Sequence, residues 1–339
     1  GVYLKQAPGS VIRNNVIISK KLDIARRGDS IKVWYSDDVT IDNNRASDGR
    51  DNILWYSNRG VVTNNVFDRG RYGLHLMFSD GARIERNSLQ SNSIGLYIMY
   101  SRDPLVVGNT LSNNHGPSGG GLGFKDVDRA TVEGNRFVNN HIAAQIDTSP
   151  REPGIENIFR GNVFAFNTIG IGFSPAVRHN TLTANSFIDN VEQVAILGGG
   201  QLRDITWAVA GRGNYWSDYA GYDANGDGIG DLPYRSQRLF EALVSQEPVL
   251  RLFTYSPAAM AVDFAAKAMP VARPEVKLED PDPLLSPVWD PALPPVPAAE
   301  GPRLTLGTAG LATVLAAASG VVALRRPRRT FAFAARGVG

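Results

Sequence analysis

His75 and Met77 stand two apart, and Met99 follows Met77 by twenty-two residues in a matching phrase, GLYIMYS against GLHLMFS. Residues two apart on a strand leave the same face, so an imidazole and a thioether would point the same way. If the two phrases stack, Met99 lies over Met77 and Tyr97 over His75. Thioether and imidazole are soft to borderline ligands, and thioether selects Cu(I). The three side chains can therefore converge on one soft ion. Methionine is also ordinary packing material, and two of the four methionines lie elsewhere, so packing is the competing reading.

A harder cation would need the segment GNYWSDYAGYDANGDGIGDLPY. There Asp223, Asn225, Asp227 and Asp231 take positions 1, 3, 5 and 9 of a calcium-type loop, with Gly228 at position 6. Oxygen ligands at alternate positions can wrap one ion while the glycine makes the sharp turn. Position 12 is Tyr234, where an EF-hand carries a bidentate glutamate. The loop is thus not a complete EF-hand, and an ion-free turn competes with calcium.

What positions these side chains is a repeat of about 22 residues. An Asn followed two places on by a large apolar residue marks the turns: Asn15, Asn65, Asn87, Asn109, Asn135, Asn162, Asn185 and Asn214. Asn44 keeps the register with Ala46 behind it. A second Asn follows five places later in five successive repeats, at Asn92, Asn114, Asn140, Asn167 and Asn190. Between the marks, apolar and polar residues alternate with the period of strands. Strands this short, about three per repeat, cannot bury a face alone, but stacked rungs can, at the ~4.8 Å spacing of neighbouring strands. Asn at the corner tolerates left-handed backbone, and its amide can donate to the amide of the next rung. The fold class expected is all-β: a right-handed parallel β-helix with a C-terminal cap, a Pro-rich linker and a C-terminal transmembrane helix.

The phrases IKVWYS, ILWYS, LHLMFS, LYIMYS and LGFKDV align on one another. Leu74, Leu76, Leu96, Ile98, Leu122 and Phe124 share one parity and read as core. The other parity gives two outward columns, one through Lys32, Ile53, His75, Tyr97, Gly123 and Gln145, the other through Trp34, Trp55, Met77, Met99, Lys125 and Asp147. An outward apolar cluster of this kind marks a contact surface or site. Trp34, Trp55 and Tyr97 are its expected partner surface, unless a terminal segment or loop covers it.

With 339 residues and 43% hydrophobic content, the chain can hold one long solenoid with appendages. A net charge of +2 makes no electrostatic case for nucleic acid. There are no cysteines, so neither a disulfide framework nor a thiolate zinc site is available, which fits an oxidising compartment. The sequence begins inside a rung-like phrase, GVYLKQAPGS, so upstream rungs and an export signal are expected before it.

RYGLHLMFS and GLYIMYS, the block RGNYWSDYAGYDANGDGIGDLPYR, and the later SPAAMAVDFAAKAMPV and DPLLSP together resemble the NosD family, over residues 1–288. The block alone also occurs in other secreted β-helix proteins, so the combination is what is specific. The resemblance implies a non-enzymatic periplasmic accessory protein for copper-site assembly of nitrous oxide reductase. It further implies an ABC transporter permease and ATPase, a copper-chaperone lipoprotein and the reductase as partners. Under it, His75, Met77 and Met99 become candidate contacts for transient Cu(I), an assignment that rests on ligand type. The segment SPAAMAVDFAAKAMPV reads as an amphipathic helix with Met260, Phe264 and Met269 on its apolar side, docking on the permease or packing back on the coil.

The tail departs from that family's pattern. Ten prolines between 269 and 303 make an extended linker that can be neither helix nor central strand. Residues 304–324 are twenty-one uncharged residues, followed by Arg325, Arg326, Arg328 and Arg329, which would stay cytoplasmic. Six Ala, three Gly and four Ser/Thr make the stretch weakly hydrophobic, so a buried or soluble helix is the alternative. The expected domains are rungs over 1–210, a cap with the calcium-type loop over 211–250, and the amphipathic helix with the linker over 251–303. A membrane span over 304–324 and a basic tail over 325–339 complete the chain, anchoring a periplasmic protein to the inner membrane.

The rival function is a carbohydrate-binding or sugar-processing β-helix of the cell envelope. Catalysis would need paired carboxylates on adjacent rungs, and Lys125, Asp126, Asp128, Gln145 and Asp147 make no such cluster. Trp34 and Trp55 can still stack on sugar rings. A scaffold whose aromatic and methionine column is a protein interface is the third reading.

Overall fold

Three short strands from each repeat pair in parallel with their counterparts in the next, building three nine-stranded sheets. The computed structural model describes residues 1–288 apart from 21, 117, 118, 199, 238, 255 and 269–275. These lie within one unit, Gly1–Ala298; the expected membrane span (304–324) and basic tail (325–339) fall outside the described residues. The first sheet runs from Val2–Lys5 through Ile31–Trp34, Asp51–Trp55, Tyr72–Met77 and Ile94–Arg102 to Glu192–Ile196. This is the parallel β-helix the repeat requires. Its register is the expected one: Leu74 pairs with Leu96, His75 with Tyr97 and Met77 with Met99.

Period-two alternation decides which side chains go inside. Leu74, Leu76, Leu96, Ile98 and Leu122 are fully buried, and Phe124 nearly so. Towards the C-terminal end the core turns aromatic. Phe137, Phe164, Phe187 and Trp216 stack with centroids 4.9, 4.8 and 4.4 Å apart, and Tyr234 lies on Trp216 at 4.4 Å. The rung spacing itself sets these ring distances.

The corners correct one expectation. The left-handed residue is not the marker Asn but the one before it: Asn43, Asn64 and Arg86 have φ of 53°, 57° and 52°, and Gly108 has 62°. The marker is turned inward instead and forms the ladder. Nδ2 of Asn65 donates to Oδ1 of Asn87 (2.9 Å), Asn87 to Asn109 (3.0 Å) and Asn109 to Asn135 (2.9 Å). Each marker's backbone N–H donates to the same oxygen. The second ladder runs likewise from Asn114 through Asn140 and Asn167 to Asn190. Asn109→Ala should therefore orphan two donors of Asn87 and the carbonyl of Ile84, all buried. A loss on the order of 3 kcal/mol is expected in chemical denaturation. The exposed Arg160→Ala, which loses only a solvent-side pair with Glu133, should stay within about 0.5 kcal/mol.

The main ladder ends on a different residue. Asn214 donates through its backbone N–H (2.7 Å) and Nδ2 (3.2 Å) to Oδ2 of Asp280, which also accepts Nε1 of Trp216 (2.9 Å). Asp280 is fully buried, and that burial raises its carboxyl above the usual range. It closes the strand Leu278–Asp280, antiparallel to Tyr234–Ser236, inside the stretch expected to be linker. An edge position flanked by Pro281 and Pro283 costs no ladder bond, which is why proline permits a strand here. Beside it, Lys277 donates at 2.8 Å to both Glu192 and Glu241. Burial disfavours the Lys277 charge, but the two carboxylates outweigh it and hold the ammonium. The triad ties α1 (Leu239–Gln246) to the last rung of the first sheet. Next in the chain, α2 (Pro257–Ala268) packs on α1 around Phe240, Val244 and Ala259. Met260 and Phe264 remain largely exposed on it. Met269 lies outside the described residues.

Candidate metal centre

His75, Met77 and Met99 are brought together. Nε2 of His75 lies 3.4 Å from Sδ of Met99, and Met77 is the strand partner of Met99. Tyr72 meets the imidazole edge-on at 5.0 Å, and Tyr97 stacks on it at 5.8 Å. Nδ1 of His75 is buried without a hydrogen-bond partner. Burial pushes the pKa down to about 4, with Asp51 opposing the shift and Arg71 adding to it. The imidazole is accordingly neutral at pH 7, with a lone pair available to a soft ion. Two thioethers and a neutral imidazole leave the charge of a bound ion uncompensated, which favours a monovalent soft ion over a divalent one.

The outward columns stand as aligned. Trp34 pairs with Trp55 and Trp55 with Met77. The indoles of Trp34 and Trp55 stack with centroids 6.3 Å apart and planes at 26°, and Lys5 lies over Trp34 at 5.1 Å. Ile53 does not add to the outward apolar surface as expected. It is only 7% exposed, flanked in its column by Lys32 and His75.

Sequence reasoning missed a second aromatic column beside this one. Tyr35, Tyr56, Phe78 and Tyr100 occupy successive corners, with φ of 48°, 49°, 52° and 50°. Their rings stack at 4.8, 4.8 and 5.0 Å. Each precedes a serine of an inner ladder, in which the backbone N–H of Ser36, Ser57 and Ser79 donates to the next serine's Oγ. The signal was present as the aromatic residue ahead of Ser in WYS, WYS, MFS and MYS. Within this column the inner rings turn their faces to one another. Stacking on a sugar needs an open face, so the column weighs against saccharide binding along its length.

The calcium-type loop is held by its own backbone. Asp223 accepts from the N–H of Gly226 (2.6 Å) and Gly228 (2.8 Å), Asp231 from Ala224 (2.7 Å), and Asn225 from Asp227 (3.0 Å). The bond from Gly228, ahead of that from Gly226, keeps the Asp223 carboxyl below its ordinary range. Among the described residues, no group of three or more His, Cys, Asp or Glu stands close enough to hold a metal ion. The expectation of calcium finds no support in this geometry.

A family model, NosD, described as a periplasmic copper-binding protein, matches residues 9–221. Two curated relatives, from Pseudomonas aeruginosa and Stutzerimonas stutzeri, are each named probable ABC transporter binding protein NosD. They are 36% and 34% identical to the chain over 117 residues. The matched stretch is 34% of this chain and spans only 27% and 26% of those relatives. A crystal structure of the periplasmic alginate epimerase AlgG is similar with a TM-score of 0.41 at 17% identity, over 60% of each chain. That likeness is too distant to bear on function.

Proposed function

The chain belongs to the NosD family of periplasmic copper-binding proteins, and from that premise we propose that its outer Met/His face receives Cu(I) as cargo and passes it on during copper-site assembly of nitrous oxide reductase. The observation that supports this most is the 3.4 Å approach of His75 Nε2 to Met99 Sδ beside Met77, on a sheet braced by hydrogen-bonded ladders. Donors already held in place lose little conformational freedom on binding. Neutral thioethers also lack the charge with which thiolates retain an ion, which suits transfer better than storage.

The reading extends to partners. The relatives' names support an ABC transporter as partner; in this reading its permease and ATPase, a copper-chaperone lipoprotein and the reductase complete the set. We assign Trp34, Trp55 and Tyr97, with the corner rings beside them, to the partner that exchanges copper. The exposed Met260 and Phe264 face of α2 is assigned to the permease. Residues 304–324 serve as an inner-membrane anchor, and the protein catalyses no reaction of its own.

Titration against a chromogenic Cu(I) chelator should reveal one tight site, with no comparable response to Zn(II) or Ca(II). Proton competition sets in only near the lowered His75 pKa of about 4. Affinity should therefore stay level from about pH 7 to about pH 5, then fall roughly tenfold per pH unit below about pH 4. An ordinary exposed histidine would begin to lose the ion near pH 6.5. Absence of tight Cu(I) binding would overturn the proposal.

A further inference from the structure

Trp34, Trp55, Met77 and Met99 follow one another at successive rungs. The near-parallel stack of the two indoles sets one face of Trp55 against Trp34. Its other face is turned towards the next rung, where Met77 is the strand partner of Trp55, one ~4.8 Å backbone step along the coil. Tyr56 lies alongside, its plane within 10° of the indole. Nε1 of Trp55 is buried with no hydrogen-bond partner, so packing through the ring faces, not a polar bond, orients the indole.

The charge balance around the donors gives that face a use. His75, Met77 and Met99 are all uncharged. The two charged groups acting on His75, Asp51 and Arg71, are paired with each other. A monovalent ion held there would meet no compensating carboxylate, and the half-buried setting limits what water can supply. A π face is the remaining source of negative potential, and indole has the strongest among aromatic side chains. Trp34 cannot serve, because Trp55 covers the face it turns towards Met77. Tyr97 is stacked on His75.

Resting on the copper reading above, we infer that Trp55 is the floor of the site: its indole face towards Met77 takes up the charge of a Cu(I) ion held by His75, Met77 and Met99. A thioether one rung from an indole face can also make a favourable sulfur–aromatic contact, so the same indole would steady the ligand before the ion arrives. Trp55 thereby favours a monovalent soft ion over a divalent one, whose larger charge an uncharged ring cannot balance.

The test uses Ag(I), a redox-silent substitute for Cu(I), on the full chain labelled with 5-fluorotryptophan. Fluorine NMR separates the indoles, and Trp55→Phe assigns the resonance of interest. One equivalent of Ag(I) is expected to shift the Trp55 resonance and leave those of the buried Trp207 and Trp216 in place. In chelator competition, Trp55→Leu should lower Cu(I) affinity roughly tenfold, and Trp55→Phe by less. If Ag(I) binds in a Met77- and Met99-dependent manner while the Trp55 resonance stays still, the floor is wrong and the copper site stands. If neither Ag(I) nor Cu(I) binds, both fall. The resonance is read on the unsubstituted site, so a poorly folding leucine variant cannot leave the question open.

Discussion

Met77→Leu combined with Met99→Leu is expected to lower Cu(I) affinity by at least about a hundredfold, since it removes two of three donors and even outer-shell changes cost about 10–100-fold. Leucine nearly conserves methionine's volume, so the cost in stability should be under about 1.5 kcal/mol. Both residues are only half-buried, and the thermal midpoint should move by no more than a few degrees. Chelator competition and a thermal melt on the same preparations check the two halves together. Retained affinity in a folded double variant would place the donors elsewhere on the molecule. Lost affinity with an unchanged melt would separate ligation from packing, which the residue types alone leave open.

The largest effect on stability is expected at the far end of the coil. Asp280→Ala removes the acceptor used by the backbone and side chain of Asn214 and by the indole of Trp216. Those donors are buried, and the truncation leaves them facing a small cavity in place of an acceptor. Orphaning several at once should cost about 3–5 kcal/mol, read as a lower denaturant midpoint. Asp280→Asn keeps one carbonyl oxygen and should fall between this and the parent. The neighbouring Glu279→Ala breaks only an exposed pair with Arg235 and should change stability by less than about 0.5 kcal/mol. If Asp280→Ala unfolds with the parent, the strand Leu278–Asp280 does not close the coil.

Much of this arrangement was legible because a solenoid repeats locally. The period placed Met77 against Met99 and His75 against Tyr97, and parity separated Leu76 and Ile98 from the outward columns. The asparagine ladder followed from the amide's ability to donate and accept at once. Backbone detail did not follow, because a marker visible in sequence need not be the residue that bears the strain. Asn64 and Arg86 carry the left-handed angle while Asn65 and Asn87 carry the ladder. The corner rings of Tyr35, Tyr56, Phe78 and Tyr100 were overlooked for a related reason, since period two assigns a face to strand residues and says nothing of corners. Asp280 was illegible in kind. It meets Asn214 across 66 residues of sequence, and only the folded end of the coil explains a buried carboxylate there.

The ladder also has a direction. Each marker asparagine donates towards the C-terminal end and accepts from the other side, so every rung presents the next with the same unsatisfied donors. A stack built this way is a template that can in principle recruit strands from another molecule, as open sheet edges do. A carboxylate can take those donors but has no side-chain N–H to hand on. Asp280 therefore does more than seal a core: it ends a self-propagating hydrogen-bond pattern.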